Sequence, residues 1–211
     1  MTSSGWMSDS RDSVPRNGEI VRKDDEPDWG ALLRQDVRPL LVVGAAACVW
    51  DDLARLGSWP HHIVVVNQIG IRIPAFQYWA SLHPEFLIQK WLPRRKELIG
   101  QVGLWSHKTF RNVDLVLTDW NGSSGLFAVK CGLVMGYNRI VCAGTPLDDQ
   151  HHFNIEKRWP DCLAYRKAWI KHQADLKPFV RSLSGWTRDL LGEPTEGWLT
   201  NPASRMPITQ E

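Results

Sequence analysis

The sequence predicts an α/β fold: a single three-layer domain whose mostly parallel sheet carries helices on both faces. Three observations lead there. The run Leu40-Leu41-Val42-Val43 is short, aliphatic and bounded by Gly44, and a helical pattern with Val49, Leu53 and Leu56 on one face follows it. The stretch from Trp120 to Leu147 reads as loop, helix, turn, strand, loop, which is half of a βαβ unit. Strand, glycine, small residues and helix, in that order, open a Rossmann-like fold. Its ligands sit at the carboxyl ends of strands and at helix N-termini.

Three regions follow from composition. Residues 1–28 are polar and charged and are expected to form a flexible or loosely docked arm. Residues 29–191 form the domain, and 192–211 a Pro-rich tail with nothing to build a core from. Within the domain, Trp29 to Gln35 reads as a short helix. The first strand, Arg38 to Val43, ends at Gly44-Ala45-Ala46-Ala47, and Asp51 and Asp52 fall in the first turn of the next helix, where the dipole favours negative charge. No full GxGxxG fingerprint is present, so a dinucleotide is not indicated. Gly44, Ala45 and Ala46 would let a phosphate or ribose approach the backbone; the same residues would also serve tight strand–helix packing.

His61 to Gln68 reads as the second strand, ending in two amides. Asn67 can donate and accept at once, which suits a base edge or sugar hydroxyl, and it is equally an ordinary turn former. Trp79 to Glu85 gives a short strand broken at Pro84, with His83 on the same rim. Phe86 to Ile99, interrupted by Pro93, predicts a bent helix or two short ones, and Gly103–His107 and Val113–Leu117 are the next strands. Gly122-Ser123-Ser124-Gly125 is a small, donor-rich loop before a helix with Leu126, Val129, Leu133 and Val134 on its apolar face. Gly136 ends that helix. Arg139 to Ala143 is a buried strand that opens into Gly144-Thr145-Pro146.

Beyond it, Asp148-Asp149-Gln150-His151-His152 places two carboxylates and two imidazoles past a strand's carboxyl end. That is the place to expect a general base or a metal-assisting group, although an exposed polar loop would look the same. Tyr165 to Leu183 predicts one long helix kinked at Pro178 and ended by Ser184-Gly185. Thr187 to Leu191 adds a final helical turn.

Composition narrows the function. A formal charge of +2 over 211 residues gives no reason to expect nucleic acid or an anionic membrane as partner. Four cysteines without CxxC spacing read as free, mostly buried thiols in a reducing compartment, and no Cys/His pair stands at zinc-ligand spacing. The start has no apolar signal core and no later run approaches the roughly 20 residues of a membrane span, so a soluble, cytoplasmic protein is expected. Twelve tryptophans are unusual. Trp50, Trp59, Trp79, Trp91, Trp105 and Trp169 sit beside aliphatic residues and read as core or rim packing, with a carbohydrate or base platform open for one or two.

Four rim segments together resemble the Rossmann-like group of bacterial sialyltransferases, DUF115 (motility-associated glycosyltransferase-like) proteins and archaeal hydroxymethylpterin pyrophosphokinases. The strand-then-loop ending at Gly44-Ala45-Ala46-Ala47-Cys48 keeps the leading glycine of their Gly-Asn-Gly-Pro-Ser type loop. Asn67-Gln68 stands where their second strand ends in Asn-Gln. Ser123-Ser124-Gly125, Gly136-Tyr137, Ile140-Val141 and Gly144 follow the order of their Ser-Gly loop, Gly-Tyr, strand and Gly-x-Asp. The Asp of the last element is replaced by Thr145-Pro146, and Asp148 comes later. Small members with this spacing also look like proteins of phages and prophages, which places the expected cytoplasm in a bacterium or infected host.

The resemblance implies a transferase using a nucleotide-activated donor, such as a CMP- or other nucleotide sugar, and a hydroxyl acceptor. Gly44, Ala45 and Ala46 would face phosphates or ribose, Asn67 the nucleotide, and Ser123, Ser124 and Gly125 the donor's anionic group, with His83 and Gly144 also at the donor site. His151 or His152 would be the base, with Asp148 beside them. Two alternatives remain: a pyrophosphoryl or nucleotidyl transferase with Mg²⁺ on Asp148 and Asp149, and a non-catalytic nucleotide-binding or phage assembly protein with an extensive homo-oligomer interface.

Overall fold

The computed structural model describes residues 20–21, 38–57, 59, 61–95, 101–118 and 122–200. Its strands are β1 (Ile20–Val21), β2 (Leu40–Val43), β3 (His62–Val66), β4 (Tyr78–Ala80), β5 (Gly103–Ser106), β6 (Leu115–Leu117), β7 (Ile140–Ala143), β8 (His151–His152), β9 (Ile155–Arg158) and β10 (Val180–Ser182). Its helices are α1 (Val49–Leu56), α2 (Pro84–Phe86), α3 (Ser124–Val134), α4 (Cys162–Lys171), α5 (Gln173–Leu176), α6 (Gly185–Leu191) and α7 (Glu196–Thr200).

Eight strands form one sheet in the order β1-β6-β5-β4-β3-β2-β7-β10. The seven from β6 to β10 run parallel, and β1 pairs antiparallel with β6 at the edge. From β2 the chain steps outward through β3, β4, β5 and β6, then returns to lay β7 and β10 on the other side of β2. Strand order therefore reverses between β2 and β7. The crevice outside their carboxyl ends is where open α/β sheets bind ligands.

The aliphatic runs become central strands because both faces are covered. Every residue of β2 and β7 is buried. Leu40, Val42, Val64 and Tyr78 meet α3, Trp169 of α4 and Leu191 of α6 on one face. Leu41, Val43, Val65 and Trp79 meet Val49 and Leu53 of α1, Ile69 and Leu87 on the other. Trp79, Trp105 and Trp169 are fully buried, whereas Trp50 is 45% exposed, so the tryptophans divide between core and rim.

Three expectations are corrected. The single helix expected over Tyr165–Leu183 is α4, α5 and then the strand β10, which pairs with β7 from Val180↔Ile140 to Ser182↔Cys142. Pro178 stops the helical pattern, and three residues are too few to display a strand's two-residue period. The tail does reach the core: Trp198 and Leu199 of α7 pack on it, and the Trp198 ring lies 4.9 Å from the guanidinium of each of Arg139 and Arg181. The polar run Asp148–Phe153 is not a simple loop but enters the antiparallel hairpin β8–β9. Of the expected arm, only β1 lies among the described residues; the Trp29–Gln35 helix and residues 96–100, 119–121 and 201–211 lie outside them. Near Pro93 the expected bend appears as a π turn (Leu87–Trp91) followed by a 3-10 turn (Leu92–Arg94).

Candidate functional site

Where the loops leaving the paired parallel strands β2 and β7 cross, two glycines bring them into backbone contact. A Cβ on Gly44 would run into the Gly144 carbonyl and the Thr145 methyl, and a Cβ on Gly144, at φ 62°, would lie 2.8 Å from Val49 Cβ. Gly44 N donates to Ala143 O (2.8 Å), Ala46 N to Gly144 O (3.1 Å) and Ala47 N to His151 O (3.0 Å). Gly144 N donates to Asp52 Oδ2 (2.8 Å), and the Ser184 hydroxyl donates to the same oxygen (2.7 Å). Asp52 is 1% exposed. The first loop thus spends its amides on its own chain. Cys48 lies 3.3 Å from Ser184 Oγ, and burial pushes its thiol up to about 11, so it is no thiolate nucleophile at neutral pH.

The β8–β9 hairpin folds over this crossing. Ala46 and His152 form an antiparallel bridge, and Phe153 N donates to Ala45 O (2.9 Å). This carries His152 to the end of β3, where Gln68 Nε2 donates to His152 Nδ1 and to Asn154 Oδ1, 3.1 Å each. The ring stands edge-on to Trp159 at 5.2 Å, and Trp50 meets Phe153 edge-on at 6.1 Å. Burial, then the neighbouring His151, hold His152 below the ordinary histidine range, so it is neutral at pH 7. His151 is exposed, and its Nδ1 lies 2.8 Å from the His152 carbonyl.

Farther along the rim, Asn67 adopts φ 56°, which Asn tolerates better than most residues. Its carbonyl accepts from Trp79 Nε1 (2.7 Å) and its Oδ1 from the Ser81 hydroxyl (2.8 Å). Ser81 Oγ also accepts from His83 N (2.9 Å), so it ties together two of the expected binding residues. His83 has its Nδ1 3.8 Å from Glu85, which pairs with Lys108 at 3.2 Å. Beside them His107 is held below the usual histidine range by burial, then by Lys108 and His83, and its buried Nδ1 has no partner among the described residues. Ser81, His107 and Lys108 are rim residues that the sequence reading did not single out. Their one signal is position, each lying just past the end of an apolar strand.

Ser123 N-caps α3, accepting from Leu126 N (3.3 Å), and its hydroxyl also accepts from Trp169 Nε1 (3.2 Å). Its oxygen therefore serves the fold. Ser124 and Gly125 form the first turn of α3, and a Cβ on Gly125 would lie 3.4 Å from the same Thr145 methyl that Gly44 faces. Asp148 is also structural: Oδ1 takes Arg166 Nη2 (2.9 Å) and Trp186 N (3.3 Å). Asp149 faces Arg158 at 3.6 Å. Both carboxylates are thus turned to arginines, and among the described residues no group of three or more His, Cys, Asp or Glu is arranged to hold a metal. Asp149 Oδ1 is buried and has no partner among the described residues.

Of the expected site residues, Gly44, Ala45, Ala46, Gly144 and His152 meet at the crossing, and Gln68 joins them. Asn67 and His83 form a second group through Ser81, and Ser123, Ser124 and Gly125 flank Thr145. No helix among the described residues is long and apolar enough to cross a membrane. No family model matches the chain, and no curated protein or solved structure matches it either.

Proposed function

We propose that the chain is a transferase that takes a nucleotide-activated donor, of the nucleotide-sugar kind, at the carboxyl rim of its sheet and passes the activated group to a hydroxyl acceptor. The observation that carries this reading is the meeting of Gln68 with His152 beside the β2/β7 loop crossing. His152 there is a half-buried, neutral imidazole held by an amide and walled by Trp159. The order of rim segments that resembles the sialyltransferase and DUF115 group supports it further.

In this reading the donor's anionic group falls to the first turn of α3, Ser124 and Gly125, where backbone N–H groups and the helix dipole favour negative charge. The amides of Gly44, Ala46 and Ala47 take no direct part, because they are bonded internally. An activated phosphate is already a good leaving group, so the protein chiefly positions the partners. Asn67 and His83, tied together by the buried Ser81, supply polar contacts for base or sugar along β3 and β4.

A thermal-shift screen with CMP, UMP, UDP, GDP, ADP and ATP, each with and without Mg²⁺, tests it. A ligand at 100 times its Kd stabilises by about 2.7 kcal/mol. A Mg²⁺-independent shift, largest with one nucleotide and lost in Ser124→Ala, supports the reading and names the donor for transfer assays. Absence of any shift rejects it. The second reading, a non-catalytic or assembly protein of the same fold, is favoured by one observation: the amides of Gly44, Ala46, Ala47 and Gly144 are all bonded within the chain.

A further inference from the structure

We infer that Gln68 fixes which nitrogen of His152 carries the proton, so that His152 faces a ligand as a neutral hydrogen-bond donor and not as a base. The reason lies in the donor inventory of the two side chains. An amide NH₂ has two hydrogens and no lone pair to offer. Gln68 Nε2 sits 3.1 Å from both His152 Nδ1 and Asn154 Oδ1, so each neighbour receives one hydrogen. His152 Nδ1 must then supply its lone pair. A neutral imidazole with a bare Nδ1 carries its single proton on Nε2. The ring has little freedom to escape this, since its backbone bridges Ala46 and its edge-on contact with Trp159 sets the plane.

The opposite tautomer demands a concerted change. For Nδ1–H to donate, Gln68 would turn its Oε1 inward, and Asn154 would have to turn its own NH₂ to keep a bond. Gln68 and Asn154 therefore act as one unit, and Gln68 is a positioning residue for His152. Among the described residues, the one titratable neighbour acting on His152 is His151; Gln68, Asn154 and Trp159 are uncharged.

This deepens the proposed function and rests on it for the identity of the ligand. A neutral Nε2–H suits an oxygen that gains negative charge, such as the leaving phosphate oxygen of a nucleotide-activated donor. No proton is transferred, because a neutral imidazole is far too weak an acid; the stabilisation is a hydrogen bond aimed at developing charge. Deprotonation of the acceptor hydroxyl then belongs to another group.

Two substitutions push the tautomer in opposite directions. In Gln68→Glu the carboxylate can only accept, which draws the proton to Nδ1. In Asn154→Asp the carboxylate can only accept from Gln68, which keeps the amide nitrogen directed inward and the proton on Nε2. Two-bond ¹⁵N–¹H correlation spectra of the full chain, with His152 assigned by comparison with His152→Gln, read the tautomer without any ligand. Wild type and Asn154→Asp should give the Nε2–H pattern and Gln68→Glu the Nδ1–H pattern. An Nδ1–H pattern in wild type, or one unmoved by Gln68→Glu, overturns the assignment. With a nucleotide that binds, Gln68→Glu should weaken affinity roughly tenfold, the worth of one lost hydrogen bond; equal affinity overturns the donor role. A nucleotide screen with no binder counts against the transferase reading and leaves the tautomer result standing.

Discussion

The crossing of the β2 and β7 loops and the rim beside it lie next to each other yet use polar groups in opposite ways. At the crossing, Gly44 N, Ala46 N, Gly144 N and the Ser184 hydroxyl each have an acceptor from the chain, and Asp52 collects two of them in a position 1% exposed. At the rim, His83 is largely exposed, His107 Nδ1 has no partner among the described residues, and His152 is held through one nitrogen. A glycine beside a strand end accepts a second backbone as readily as a phosphate. Small residues at a switch point therefore mark close approach, and the hydrogen-bond inventory tells which partner approaches.

The comparison breaks most easily at Asp52. Asp52→Ala leaves a buried amide and a hydroxyl without their acceptor, and at 1–3 kcal/mol for each such group the loss should be about 3 kcal/mol in urea unfolding, with Asp52→Asn recovering part of it. If Asp52→Ala unfolds like wild type, the crossing is not the satisfied core described. Next in size, Gly44→Ala drives a methyl into the Gly144 carbonyl and should cost roughly 2 kcal/mol, within the usual range for overpacking. The same variant would bind nucleotide normally if the first loop takes no part in the site.

Ser123→Ala removes the cap of α3 and the acceptor for Trp169, with an expected loss of about 1 kcal/mol. Its nucleotide affinity should be unchanged, in contrast to Ser124→Ala. The smallest effect is a pH dependence. Burial holds His61, His107 and His152 below the ordinary histidine value. Near and below about pH 6.5 the unfolded chain takes up protons that the folded one refuses. Their contribution is therefore full above that pH and declines as pH falls beneath it. His152→Gln should flatten part of this slope, measured as urea midpoints at about pH 7.5 and 5.5; an unchanged slope would place His152 in water.

Much of the fold was legible. Leu40–Val43, His62–Val66 and Ile140–Ala143 are apolar runs that only a doubly covered sheet can accommodate, and Gly136 marks the end of α3. β10 was not, because its three residues follow a helical pattern past Pro178. The β8–β9 hairpin was not either, since all of β9 is exposed and gives no apolar alternation. In the site, position on the rim was readable for Asn67, His83 and His152. Function was not: Asp148 looks like a catalytic carboxylate until Arg166, 18 residues later, is seen to hold it.

The sequence by itself determined the alternation of strands and helices and the segments that reach the carboxyl rim, because burial periodicity and capping are local properties of the chain. Only the tertiary structure decided which polar groups are already spent. Asp52 and Ser184 stand 132 residues apart, as Gln68 and His152 stand 84 apart. Whether a donor meets a protein acceptor or remains for a ligand depends on how distant strand ends cross, which no local pattern encodes.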